Sequence, residues 1–265
     1  MSIKIKNLSV FTTGEKKNIP FVLVHGFPFD HSMWDEQVKE LSKQYYCVTY
    51  DIRGMGESSA GDGQFTMESF VDDLEIIVDE LELKKPVLCG LSMGGYISLR
   101  AVERMEAKFS TLILCDTKSD PDNSEGKLKR AAGIKMINEK GVEKFVRQFV
   151  PNCFSENFMA THKEEYNNVI NRSQRNSPTG VKGCLLAMAG RTDTTPFLQK
   201  ISIPTLIICG EKDKLTPPAV MKLMADDIIN SEFIIVSGAG HMIPIESPYI
   251  FNQTIKDFLM RKKGK

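Results

Sequence analysis

Pro86-Val87-Leu88-Cys89-Gly90-Leu91-Ser92-Met93-Gly94-Gly95-Tyr96 is the stretch from which the rest of the chain can be read. Its first four residues form an apolar, strand-like run. From Gly95 onward, GYISLRAVERM (95–105) carries apolar residues at helical spacing. Between the two lies Gly90-Leu91-Ser92-Met93-Gly94, a G-x-S-x-G pentapeptide in the strand–turn–helix setting that turns a serine into a nucleophile. Such a turn strains the backbone at the serine, and glycines on either side avoid side-chain clashes there. A helix starting directly after Ser92 aims backbone N–H groups and its positive dipole end at the reacting centre. Ser92 is the candidate nucleophile.

Outward from this turn, short apolar runs alternate with helical patterns. Residues 21–24, 46–50, 87–89, 111–115, 205–209 and 233–236 read as strands that are apolar on both faces, as parallel strands buried under helices are. Residues 67–83 place Phe70, Val71, Leu74, Ile77, Val78 and Leu81 on one helical stripe, with Thr66 as the N-terminal cap. Strand–helix alternation predicts an α/β fold built on a mostly parallel sheet with right-handed crossovers. Residues 2–13 fit a short antiparallel start. The alternation breaks after Asp116. Residues 119–196 are helical and polar, opened by SDPDNSEG (119–126) and closed by TDTTP (192–196), both turn-rich. The expected organisation is a core of residues 1–118 and 197–265 with a helical cap, 119–196, inserted between two strands. The cap starts just past a strand's carboxyl end, where open α/β sheets bind ligands. It is therefore expected to cover Ser92 and set specificity.

The chain's 265 residues suffice for one domain with an insertion. Lys+Arg and Asp+Glu both number 34, so no global field favours nucleic acid or an anionic membrane surface. No apolar run approaches the roughly 20 residues of a membrane span, and the N-terminus has no signal-peptide pattern. The six cysteines show no CxxC and no metal-ligand spacing, and four lie in strand-like runs. Reduced thiols, a cytoplasmic location, and no metal or organic cofactor are expected, with a small molecule as the partner.

Four histidines are present: His25, His31, His162 and His241. Of these, His241 follows Ser92 on a Gly-rich loop beyond a strand, as the order serine, acid, histidine requires. Asp213, in Gly210-Glu211-Lys212-Asp213, lies just after the preceding strand and is the candidate acid. It would hold the imidazole tautomer and stabilise the imidazolium. Glu211 and Asp116 are rivals for that role. In FVLVHGFP (21–28) a strand ends at His25-Gly26, and the Phe27 N–H would pair with that of Met93 as an oxyanion hole. His25 is expected to brace this loop. Residues 51–58, DIRGMGES, read as a structural turn with an Asp51–Arg53 pair and no phosphate-binding lysine pattern.

With these residues assembled, the chain resembles the α/β-hydrolase superfamily. The resemblance rests on HGFPFD (25–30), DIRGMGES (51–58), GLSMGG (90–95), GEKD (210–213) and GAGHMIPIESP (238–248), all in family order. LCDT (114–117) and AMAGRTDTTP (187–196) look like bacterial carboxylesterases related to 3-oxoadipate enol-lactonases. The resemblance implies an eight-stranded sheet with the cap after the sixth strand. It also implies Ser92, Asp213 and His241 as a triad, and Phe27 and Met93 as oxyanion donors. The activity it implies is hydrolysis of a small ester or lactone through an acyl-enzyme. Serine at the nucleophile position argues against the carboxylate-nucleophile chemistry of dehalogenases and epoxide hydrolases. The same triad also serves C–C bond hydrolases, lyases and perhydrolases. A ligand receptor on a hydrolase scaffold is the non-enzyme alternative.

Overall fold

Each apolar run forms a strand. The computed structural model describes residues 1–263, with β1 (Ser2–Ile5), β2 (Leu8–Thr13), β3 (Pro20–Val24), β4 (Tyr46–Tyr50), β5 (Val87–Leu91), β6 (Thr111–Cys115), β7 (Thr205–Gly210) and β8 (Ser231–Val236). They make one eight-stranded sheet in the order β1-β2-β4-β3-β5-β6-β7-β8. The first two ladders, β1–β2 and β2–β4, are antiparallel, and the rest are parallel. This is the sheet the resemblance implies, with β1 and β2 as the expected antiparallel start.

The strands β3 to β7 are almost wholly buried. The expectation that all six predicted strands are covered on both faces fails at β8, where Ile234 and Ile235 are exposed. β8 is the last strand of the sheet, and its local sequence does not reveal that it lies at an edge.

Among the described residues the α-helices are, in chain order, α1 (Asp35–Leu41), α2 (Met67–Glu80), α3 (Met93–Met105), α4 (Ser124–Phe149), α5 (Glu156–Thr161), α6 (Lys163–Ser173), α7 (Pro178–Ala189), α8 (Pro218–Asp227), α9 (Ile243–Glu246) and α10 (Pro248–Lys263). Thr66 caps α2 by accepting the Ser69 N–H, and Phe70, Val71, Leu74, Ile77 and Val78 are buried on its stripe. α4 to α7 lie between β6 and β7, within the segment expected at 119–196. α4 is broken at Gly141, whose φ of 81° is a left-handed turn that glycine adopts without cost. The arm beyond the break carries Phe145 and Phe149.

The two ends of the 119–196 segment are tied together. Ser119 O accepts both the N–H and the hydroxyl of Thr194, and the Ser119 hydroxyl bonds Thr195 Oγ1 at 2.9 Å. Arg191, buried, bonds Asp122 Oδ1 at 2.9 Å and Asp120 O at 2.7 Å. Its guanidinium also stacks over the Tyr96 ring, 4.2 Å from the centroid.

Strand register places the loops. Val24 faces Gly90, Leu91 faces Cys115, Cys115 faces Ile208, and Gly210 faces Val236. The residues that follow β3, β5, β6, β7 and β8 therefore emerge along one edge of the sheet, the carboxyl edge. Among the described residues no helix is long and apolar enough to cross a membrane. All six cysteines are free and buried.

Candidate active site

Ser92 stands between β5 and α3 with φ 54° and ψ −114°, outside the regions open to an ordinary L-residue without strain. The glycine requirement of the turn is steric. A Cβ on Gly90 would lie 2.3 Å from Gly94 O, and one on Gly94 would lie 2.2 Å from Val24 O. The β3 loop therefore rests directly on the elbow. Gly26 belongs to that contact, since its Cβ would come within 3.4 Å of Ser92 Cβ. Phe27 and Met93 are both buried, and neither backbone N–H has an acceptor among the described residues. Buried N–H groups are seldom left unpaired, and here two of them stand beside a strained serine.

Asp213 and His241 are joined by a hydrogen bond of 2.8 Å from His241 Nδ1 to Asp213 Oδ2. Both residues are buried. This contact leaves Nε2 as the proton-accepting nitrogen of the ring. Asp213 also accepts the N–H groups of Leu215 (2.7 Å) and Thr216 (3.1 Å) and the Thr216 hydroxyl (2.6 Å). Burial pushes its carboxyl up, but His241 and these donors outweigh it and hold the group well below the usual carboxylate range. Among the described residues Ser92 Oγ has no hydrogen-bond partner, so the acid and histidine are linked while the serine is placed by the elbow.

The rival acids have other work. Glu211 is exposed and accepts the Ser237 hydroxyl and the Gly238 N–H. It thus braces the loop ahead of His241. Asp116, at the end of β6, accepts the Gly210 N–H at 2.9 Å. His25 bonds Gly26 O through Nδ1 and accepts the Ile52 N–H at Nε2, so it is a neutral loop brace as expected. Burial also pushes its pKa down.

The expected Asp51–Arg53 pair is not formed. Arg53 forks onto Asp73 of α2 at 2.6 Å through both bonds. Asp51 instead takes the His31 ring and the Glu57 N–H. The turn sends the two side chains to different neighbours, and sequence proximity gave no sign of this.

Several residues of the site carry no strong sequence signal. Glu246 on α9 accepts the N–H groups of Gly240, Met242 and Ser155, so it holds the His241 loop on both sides and ties it to the 119–196 segment. Thr117 donates its hydroxyl to Ser92 O at 2.8 Å, and Cys115 O accepts the Ser92 N–H. Thr216, three residues after Asp213, has an Asx-turn spacing that a search for local caps would find.

Two acidic clusters have spacing compatible with a cation: Asp30-His31-Asp51 and Asp116-Cys209-Asp213. In both, most of the carboxylate oxygens already accept protein N–H or O–H groups. Neither offers the set of free oxygens a hard cation needs.

The 119–196 helices pack onto the loops of the carboxyl edge. Phe27 contacts Phe145 and Phe149 at ring-centroid distances of 5.9 and 5.6 Å. Asn176 donates to Pro28 O, and Gly180 of α7 lies against Gly54 so closely that its Cβ would meet Gly54 O at 1.8 Å.

The family model of the alpha/beta hydrolase fold matches residues 19–248, and the chain belongs to that family. The chain is 29% identical over 254 residues to a protein of Acinetobacter baylyi named 3-oxoadipate enol-lactonase 1, covering 96% of this chain and 93% of that one. Among solved structures, a thermophilic esterase from Thermogutta terrifontis, described with malate bound, is similar with a TM-score of 0.94 and 34% identity over 98% of each chain. The enol-lactonase from Burkholderia xenovorans LB400 has a TM-score of 0.90 at 25% identity, covering 98% of this chain and 100% of that one.

Proposed function

We propose that the protein is a serine hydrolase that cleaves a carboxylic ester or lactone of a small molecule through an acyl-enzyme. Ser92 Oγ attacks the carbonyl while His241 Nε2 takes its proton. Asp213 fixes the tautomer of His241 and stabilises its charged form. The Phe27 and Met93 N–H groups receive the oxyanion, a contribution of roughly 3–4 kcal/mol per donor in comparable sites. His241 then protonates the leaving alcohol, and water repeats the sequence on the acyl group. The observation that carries this reading is the 2.8 Å Asp213–His241 bond on the same sheet edge as the strained Ser92 and two unpaired buried N–H groups. Similarity to proteins named enol-lactonase and esterase agrees with the substrate class.

The test is labelling with a fluorophosphonate together with turnover of a panel of aryl esters, alkyl esters and enol-lactones. Wild type should label and turn over at least one of them. Ser92→Ala should do neither while keeping its unfolding midpoint. A folded Ser92→Ala protein that hydrolyses an ester at the wild-type rate would sink the proposal. EDTA should leave turnover unchanged, because the carboxylates of the site are already engaged by protein donors. Inactivation reversed by a divalent ion would contradict this.

A further inference from the structure

Asp116 closes β6 with φ 40°, a left-handed conformation uncommon outside glycine. This turns its side chain across the sheet edge toward the end of β7. The residue is fully buried. Oδ1 accepts the Gly210 N–H, whereas Oδ2 has no hydrogen-bond partner among the described residues. An oxygen of Asp116, an oxygen of Asp213 and Cys209 Sγ all lie within 4.8 Å of one another. Two ionised carboxylates that close, both buried, repel strongly, and one must give up its charge. The donors decide which. Asp213 has His241, the Thr216 hydroxyl and two N–H groups to hold its charge, and Asp116 has one N–H.

We propose that Asp116 is a neutral carboxylic acid at physiological pH and that its Oδ2–H donates to the Asp213 carboxylate, which makes Asp116 a positioning residue for the Asp213–His241 pair. The proton satisfies the one oxygen that otherwise has no partner. The groups that face Asp116 agree. Burial, then the charge of Asp213, then Glu246 of α9 push its carboxyl well above the ordinary range, and the Gly210 N–H is the opposing influence. Its remaining ionisable neighbours are the thiols of Cys115 on β6 and Cys209 on β7. Both are themselves raised by burial, so neither supplies a competing anion.

The consequence is electrostatic. With Asp116 neutral, the Asp213–His241 pair holds one carboxylate charge. With both carboxylates ionised, the imidazolium would be over-stabilised and slow to pass its proton to a leaving group. The positioning role rests on the triad reading above, whereas the protonation state does not.

The experiment uses the full chain, carboxyl-13C-labelled at aspartate, with Asp116→Asn and Asp116→Ala. One aspartate carboxyl resonance should stay at the protonated position from about pH 5 to about pH 8 and vanish in Asp116→Asn. If that variant does not fold, the wild-type resonance still decides the protonation state. Asp116→Asn, which keeps a neutral donor, should hold kcat within about threefold of wild type with the acid limb of kcat/KM unmoved. Asp116→Ala should lower kcat about tenfold with less change in KM.

Stability supplies an independent sign. A carboxyl raised above its unfolded value loses stability as pH rises through the interval between the two. The melting temperature of Asp116→Asn should therefore gain on wild type by roughly 3 °C per pH unit above about pH 5. A wild type in which every aspartate titrates below about pH 5, or an acid limb displaced downward by about one unit in Asp116→Asn, would show that Asp116 is charged and overturn the proposal. An Asp116→Ala protein with wild-type kcat would overturn the positioning role. If no ester is turned over, the proposed function fails while the resonance still answers for Asp116.

Discussion

Four donors converge on Asp213, from His241, Leu215 and two groups of Thr216. Removing its charge while keeping its shape therefore tests one role. Asp213→Asn should present an amide where His241 Nδ1 needs an acceptor and so favour the wrong tautomer, lowering kcat by about 10⁴ with the fold intact. Glu211→Gln should stay within a few-fold of wild type, because Glu211 braces the Ser237–Gly238 turn at the surface. Steady-state kinetics on one ester checks both. A mild Asp213→Asn beside a severe Glu211→Gln or Asp116→Asn would show that the acid has been misassigned. Asp213 itself was legible from its place after a strand and ahead of His241. Its buried neighbour Asp116 was not, because it comes from the end of a different strand, β6.

At the scale of elements, the strands and α2 were readable because short continuous apolar runs and period-3.6 stripes are local properties of a sequence. The exposure of β8 and the Arg53–Asp73 fork depend on which elements become neighbours. The broken helix α4 is a case between the two. Gly141 sits within an otherwise helical pattern, but the direction in which its left-handed turn sends the second arm is set by packing against Phe27. Phe145 and Phe149 stack on each other at 5.5 Å and both touch Phe27, the residue proposed to supply an oxyanion donor. Phe149→Ala should enlarge the space beside Phe27 and change the kcat/KM ratio of long-chain to short-chain esters by roughly tenfold, with fluorophosphonate labelling little affected. An unchanged ester ranking would mean that this arm supports the fold without shaping the substrate pocket.

For the whole molecule, the question is how 70-odd residues inserted between β6 and β7 keep a fixed position over the sheet edge. Their base is held by the Ser119–Thr194 bonds and by Arg191. The Arg191 side chain is 3% exposed and joins Asp122, Asp120 O and the Tyr96 ring, one turn into the helix that follows Ser92. Arg191→Ala should cost about 3 kcal/mol, since it leaves a mostly buried Asp122 with Arg130 as its remaining partner. The measurement is a urea midpoint together with limited proteolysis. The midpoint should fall and cleavage between residues 119 and 195 should accelerate. Unchanged cleavage would show that the base is held by something other than Arg191.

The sequence by itself determined the α/β class, the strand positions, the elbow at Ser92, the order of Ser92, Asp213 and His241, and the interruption of the core after Asp116. Each is written in residues near one another or in the order of motifs along the chain. Tertiary structure alone decided that Asp213, not Glu211 or Asp116, receives His241 Nδ1. It also decided that Glu246 clasps the His241 loop, that Arg53 serves Asp73, and that Asp116 ends beside Asp213. The contacts of Asp213 with His241 and with Asp116 join residues far apart in the chain, brought together by the parallel register of β6 through β8, whereas Glu246–Ser155 and Arg53–Asp73 follow from which loops and helices pack together. Their energetics depend on burial and on the full set of surrounding donors, which exist only once the sheet and its loops are assembled.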